Sequence, residues 1–264
     1  MKNCLIGFSG FVGSTLLKQA SFDSLFRSTN ICEIEGQSFD TVVCAGAPAQ
    51  KWIANQEPDA DREKIDGLIT YLKTIQCKTF ILISTVDVFK NPIGVDEYTP
   101  TDDSGLHAYG IHRRLLEKFV ESCFANHLIV RLPGLVGPGL RKNVIFDFLN
   151  DNNLDVIDSR GVFQFYPMVN LWYDIQAALN AGLKLVHFTT EPISVADVSK
   201  QGFGKCFGNT LTNKPAAYDM RTRHAEIFGA LGHYQYSSRE VIQAVRAYAQ
   251  SEPLTIKSDL GANA

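Results

Sequence analysis

The stretch Cys4-Leu5-Ile6-Gly7-Phe8-Ser9-Gly10-Phe11-Val12-Gly13-Ser14-Thr15-Leu16-Leu17 reads as a short apolar strand, a glycine turn and the start of a helix. Its glycines are spaced G-x-x-G-x-x-G. Glycine in such a turn admits φ > 0, lets the main chain approach a ligand and lets the helix pack close on the sheet, while the free N–H groups of the helix start favour an anion. The order strand, glycine turn, helix meets the context that a dinucleotide pyrophosphate site requires. Gly7, Ser9, Gly10, Phe11, Val12 and Gly13 are therefore the candidate phosphate-binding residues.

Working outward, a second strand ends near Ser24-Leu25-Phe26-Arg27-Ser28-Thr29-Asn30. A carboxylate that would hold an adenosine ribose is expected about 20 residues past the glycines, and none stands there. Arg27 and Ser28 offer a cation and a hydroxyl instead, which suits a 2′-phosphate, so NADP is preferred and NAD is admitted. Further strands follow at Thr41 to Cys44 and at Thr79 to Ile83, the latter turning polar at Ser84-Thr85, the strand end where open α/β sheets bind ligands. Strands rich in Val, Ile and Phe alternate with longer helical patterns through residue 135, which predicts an α/β fold, a Rossmann-type doubly wound parallel sheet covered on both faces.

Beyond Gly139 the pattern loosens. Asn143 to Asn150 reads as a short helix, Val162 to Val169 as a strand, Leu171 to Leu183 as a helix returning to the sheet and Leu185 to Thr189 as another strand. Ser194 opens a capped helix, Ser238 to Ala249 forms an amphipathic one, and 257–264 reads as a frayed polar end. The expected organisation is a dinucleotide-binding core over 1–139 and a small C-terminal substrate lobe over 140–264, interleaved with returning core elements near 171–183 and 185–189.

Composition narrows the function classes. The chain has 264 residues, 45% of them hydrophobic, enough for a full α/β core in one compact unit. Its formal net charge is -3 and its basic residues are scattered, so neither nucleic acid nor an anionic membrane is expected as a partner. The first apolar run is too short for a secretory signal or a spanning helix, which predicts a cytoplasmic protein. The six cysteines form no C-x-x-C pair and read as small buried hydrophobes. The histidines make no zinc-like pattern and no metal is expected; His107 reads as a helix-start residue.

The segment His107-Ala108-Tyr109-Gly110-Ile111-His112-Arg113-Arg114-Leu115-Leu116-Glu117 places a cation four residues after a tyrosine, on one helix face. A tyrosine ionises near ~10 and needs such a charge to work as a proton donor or acceptor at neutral pH. Together with the glycine turn and the segment Ser84-Thr85-Val86-Asp87-Val88-Phe89, it resembles the extended short-chain dehydrogenase/reductase family, with its nucleotide-sugar epimerases, dehydratases and 4-keto sugar reductases. Leu128 to Gly139 resembles the family's sixth strand and Gly-Pro loop, and Ala45-Gly46-Ala47 its turn beside the cofactor ribose.

The resemblance implies catalytic roles for Thr85, Tyr109 and Arg113, with Ala45, Gly46, Ala47, Tyr109 and Arg113 also touching the cofactor. It implies a sugar nucleotide as small-molecule substrate, acted on at a carbonyl or secondary alcohol, and it allows a homodimer. Two positions depart from the pattern. Arg113 stands where the family has Lys, and a planar, permanently charged fork does not replace a compact ammonium. Asp66 stands where the family usually has Asn. These departures leave open a second reading, a dinucleotide-binding sensor or scaffold with weak or no catalysis.

Overall fold

The computed structural model describes residues 2–253; the polar end expected over 257–264 lies outside the described residues. In chain order the core consists of β1 (Asn3–Ile6), α1 (Phe11–Gln19), β2 (Ser24–Phe26), β3 (Ser38–Cys44), α2 (Lys51–Gln56), α3 (Pro58–Leu72), β4 (Gln76–Thr85), β5 (Ile93–Val95), α4 (Ala108–Cys123) and β6 (His127–Leu132). There follow β7 (Gly134–Val136), α5 (Val144–Asn150), β8 (Val162–Phe163), β9 (Phe165–Pro167), α6 (Leu171–Asn180) and β10 (Leu185–His187). The chain continues through β11 (Ile193–Ser194), α7 (Val195–Asp197), β12 (Asp219–Met220) and α8 (Ser238–Ser251).

Six strands form one sheet in the order β10-β6-β4-β3-β1-β2, with every neighbouring pair parallel. Alternation along the strands feeds two cores. Cys4, Ile6, Val42, Cys44, Phe80 and Leu82 face α3 and α4 through Ile65, Leu72, Leu116 and Val120. Their neighbours Leu5, Val43, Ile81 and Ile83 face α1 and α6 through Leu16, Leu171, Ile175 and Ala178. Each fully buried Val, Leu, Ile or Phe among them contributes about 1.5–3 kcal/mol over its exposed state, and because both faces are covered the strands read as continuous apolar runs.

The topology decides where a ligand fits. From the interior strand β1 the chain runs out to the edge strand β2, then returns across β1 to β3 and continues in the other direction. Only the 3-10 turn Ile31–Ile34 separates β2 from β3, so β2 is the sheet edge. The reversal lies between β1 and β3, and a crevice outside the carboxyl ends of these strands is the ligand position of an open α/β sheet.

The C-terminal elements pack around a third core that includes Val136, Ile145, Phe148, Phe165, Val195, Val241 and Val245. Ser237 and Glu240 cap α8 reciprocally in a capping box. The strand expected over Val162 to Val169 is broken at Gln164. That side chain accepts from the Met220 N–H at 2.7 Å and donates to the Met220 carbonyl at 2.7 Å, so it pairs with a neighbour as a peptide group would and interrupts the ladder. The cysteines also differ from expectation: Cys4 and Cys44 are buried, but Cys32, Cys123 and Cys206 are exposed. Cys32 lies on a short 3-10 turn, Cys123 at the end of the amphipathic α4 and Cys206 in a loop, where an apolar neighbourhood in sequence does not mean burial in space.

Candidate active site

The three glycines of the first turn carry different loads. Gly7 has φ +85°, and a Cβ there would overlap the Ala45 carbonyl, so the first turn and the turn after β3 lie against each other. A Cβ on Gly13 would overlap the Gly7 carbonyl, which fixes the close approach of α1 to the turn. Gly10 is different. It is exposed, has an ordinary φ of -77° as the residue capping α1, and a Cβ there would meet nothing nearer than the Gly7 oxygen at 3.5 Å. Neither its own backbone nor its neighbours require glycine. Ser9 is exposed beside it, and Phe11 and Val12 begin the helix half-buried.

Arg27 and Ser28 follow directly on β2 and are both exposed. The Arg27 guanidinium lies over the Phe8 ring at 5.6 Å and its Nε donates to Thr29 Oγ1 at 3.0 Å. The adjacent Phe26 carbonyl accepts from the Gly7 N–H at 2.7 Å. A cation is thus stationed at the end of β2 next to the glycine turn.

On the other side of the reversal, α4 carries Tyr109, which is 8% exposed, and Arg113, which is 3% exposed. The guanidinium lies over the Tyr109 ring at 4.3 Å. Its Nη1 and Nη2 donate to Asp61 Oδ2 and Oδ1 at 2.9 and 3.0 Å, and Nη2 also donates to the Pro48 carbonyl. His112 Nδ1 lies 2.7 Å from Asp61 Oδ2. Burial opposes ionisation of Asp61, but its bonds to Arg113 and His112 outweigh burial and hold the carboxyl below the usual range. The Nε of Arg113 is buried and has no hydrogen-bond partner.

The carboxylate facing Arg113 is therefore Asp61, whereas Asp66 lies on the exposed side of α3 paired with Arg62 at 2.8 Å. The reason is helical. Asp61, Ile65, Leu68, Ile69 and Leu72 make one buried stripe, and Asp66 falls off it. A charged residue in an otherwise apolar stripe was the signal that could have found Asp61.

Thr85 ends β4 half-buried, and its Oγ1 accepts from the Asp87 N–H at 3.2 Å. That bond leaves the Thr85 hydroxyl proton free to donate elsewhere. A Cβ on Gly110 would overlap the Asp87 carbonyl, so the start of α4 lies directly on the turn after Thr85. His107 caps α4 by accepting from the Gly110 N–H at 3.0 Å, and burial lowers its proton affinity, which keeps the ring nitrogen available as an acceptor. Contacts thus run from the glycine turn through Ala45 to Pro48, from Pro48 to Arg113 and Tyr109, and from Gly110 to Asp87 and Thr85. The sequence reading missed Lys51, whose Nζ lies 2.7 Å from Asp87 Oδ1 and 3.3 Å from the Tyr218 hydroxyl.

The Tyr109 phenol stands above its ordinary proton affinity. Burial raises it and outweighs Arg113, which pulls it down. This corrects the expectation that Arg113 would leave the phenol easy to ionise, because burial of the ring outweighs the nearby guanidinium.

No protein-family model matches the sequence, and no curated protein matches it. Its structure, in contrast, superposes on many solved enzymes. A dTDP-4-dehydrorhamnose reductase from Clostridium acetobutylicum matches with a TM-score of 0.71 at 16% identity, covering 95% of this chain and 99% of that one. The fold is that of the extended short-chain dehydrogenases/reductases. A UDP-N-acetylglucosamine 4-epimerase from Methanobrevibacter ruminantium, in complex with UDP-N-acetylmuramic acid, matches with a TM-score of 0.73 at 12% identity, covering 94% of this chain and 97% of that one. The enzyme RMD from Pseudomonas aeruginosa, complexed with NADPH, matches with a TM-score of 0.69 at 16% identity, covering 95% and 99%. Among the described residues no helix is long and apolar enough to cross a membrane.

Proposed function

We propose that this chain is an NADP-dependent oxidoreductase that reduces a carbonyl of a nucleotide-linked sugar. The observation that carries the reading is the contact path joining the glycine turn to Tyr109 and Thr85 across the reversal between β1 and β3. Two features fit a dinucleotide. Gly10 is a glycine that the protein's own packing does not require, at the start of a nine-residue helix, and Arg113 Nε is a buried donor without a partner beside Tyr109. Main-chain N–H groups of Phe11 and Val12 would hold the pyrophosphate where it passes over Gly10, Arg27 and Ser28 the 2′-phosphate, and Ala45 to Ala47 with Arg113 the nicotinamide ribose.

NADPH, when bound, would supply the hydride to the carbonyl carbon. Tyr109 gives its proton to the carbonyl oxygen, while Thr85, already accepting from Asp87, donates its own hydroxyl proton to hold that oxygen in place. The protonated phenol is the form that donates to a carbonyl oxygen, whereas abstraction from an alcohol takes the phenolate. The nucleotide-sugar reductase and epimerase among the structural relatives support this substrate class. An epimerase or dehydratase would use the same side chains but must first oxidise its sugar, a step that takes Tyr109 as the phenolate.

One observation favours a second reading, a binding module without turnover: Arg113 is fixed by both Asp61 oxygens and Pro48, and lacks the freedom of a lysine ammonium. The test is NADPH oxidation by the pure protein against a panel of 4-keto sugar nucleotides, beside a fluorescence titration of NADPH binding. Turnover lost in Tyr109→Phe supports the reductase. Binding without any turnover across the panel leaves the binding module, and the absence of both rejects the two readings together.

A further inference from the structure

We propose that the Lys51–Asp87 pair, brought by α2 and by the turn after β4 to the head of α4, is a charge pair that tunes proton transfer at Tyr109. The inference rests on Tyr109 being the proton donor of the site. In this chain the cation one helical turn beyond Tyr109 is tied to Asp61 through both terminal nitrogens, so it is held in one place. Lys51 is a second cation beside the head of α4, and the sequence around it belongs to none of the patterns that mark the site.

Three contacts place the pair. Lys51 Nζ lies 2.7 Å from Asp87 Oδ1, with its side chain 38% exposed and that of Asp87 17% exposed. Asn55, one turn along α2 from Lys51, accepts from the Tyr109 N–H at 3.0 Å and so fastens α2 to the first turn of α4. The Asp87 backbone lies against Gly110, the residue after Tyr109. The Tyr218 hydroxyl completes the cluster from the C-terminal half, 3.2 Å from Asp87 Oδ1 and 3.3 Å from Lys51 Nζ. The groups surrounding Tyr109 are thus Arg113 with Asp61 and His112, His107 at the head of α4, and Lys51, Asp87 and Tyr218.

The two charges act on Tyr109 with opposite sign. Beyond burial and Arg113, Asp87 makes the phenol harder to ionise and Lys51 makes it easier. Burial weakens the ammonium of Lys51, but Asp87 and Tyr218 more than offset this and keep it charged. Removing Lys51 therefore has a double effect: it deletes a cation and leaves the Asp87 carboxylate unopposed. Removing the Asp87 charge does the reverse. Lys51 and Asp87 are positioning residues in this account, because they act through Tyr109 and not on the substrate.

The full chain carrying tyrosine labelled with 13C at Cζ reports phenol ionisation directly, and the resonance missing from Tyr109→Phe identifies Tyr109. At about pH 10, where an unperturbed tyrosine is half ionised, Asp87→Asn should raise the phenolate fraction of Tyr109 on the order of tenfold, the size of one unit charge removed at short range. Lys51→Met should lower it, Lys51→Arg should match the parent, and Lys51→Met with Asp87→Asn should return toward the parent. Far-UV circular dichroism checks that each variant is folded, and either single substitution suffices if the other is not. An unmoved Tyr109 resonance in a folded Asp87→Asn or Lys51→Met variant overturns the proposal, as does a shift of the same sign in both. Turnover is not read, so a chain without reductase activity that shows these opposite shifts rejects the proposed function and leaves the charge pair standing.

Discussion

Replacing Asp61 by Leu should be among the most destabilising single changes in the chain. The carboxylate is 5% exposed and binds Arg113, itself 3% exposed, through both oxygens. Deleting it leaves a buried guanidinium with one carbonyl acceptor, Pro48, and leaves His112 Nδ1 without its partner. Breaking a buried ion pair from one side costs about 3–5 kcal/mol, against a total stability of about 5–15 kcal/mol for a folded domain. Removing both charges is a different perturbation, because apolar replacement of a whole buried pair is often neutral. Asp61→Leu with Arg113→Leu should therefore recover most of what Asp61→Leu loses.

Urea unfolding followed by circular dichroism measures this, provided the slope of stability on urea is unchanged. A loss under about 1 kcal/mol in Asp61→Leu, or no recovery in the double variant, refutes the reasoning. The pH dependence has a definite sign. Asp61 is held below the usual carboxylate range in the fold, so its contribution is complete above the unfolded value near ~3.9 and is lost as pH falls through the folded value. The gap between the parent and Asp61→Asn should close on acidification.

Gly10→Val should leave the fold intact, since a Cβ there meets nothing nearer than the Gly7 oxygen at 3.5 Å and the position is exposed, and should abolish NADPH binding in a fluorescence titration; unchanged binding means that the pyrophosphate lies elsewhere. Arg27→Ala should weaken NADP more than NAD, and equal affinities of the parent for the two would remove the case for a 2′-phosphate site. If the reductase reading holds, Tyr109→Phe should remove nearly all turnover and Thr85→Ala should lower kcat on the order of 10²-fold, as for one lost transition-state hydrogen bond; an active Tyr109→Phe protein puts the chemistry at another group.

Local chemistry wrote much of the molecule into its sequence. The glycine spacing after an apolar run, the β-branched strands and the Ser237 and Glu240 cap are short-range features, and the structure carries a strand, turn or helix at each. The sequence also contained the residues of the site, with Tyr109 and Arg113 one helical turn apart because that spacing is a property of any helix. It could not say which residues meet across elements. Asp61 opposes Arg113, 52 residues away, and Lys51 opposes Asp87, 36 residues away; no periodicity links such positions, and their contact exists only once α2, α3 and the end of β4 pack on α4. The same limit explains Asp66, which occupies a plausible place in the chain but the solvent side of its helix. It explains the three glycines too, alike in sequence, of which two are required by the protein's own backbone and the third faces open space. The proton affinity of Tyr109 was likewise decided in three dimensions, because burial acts on a side chain through everything around it, whereas the sequence shows only the one cation four residues on.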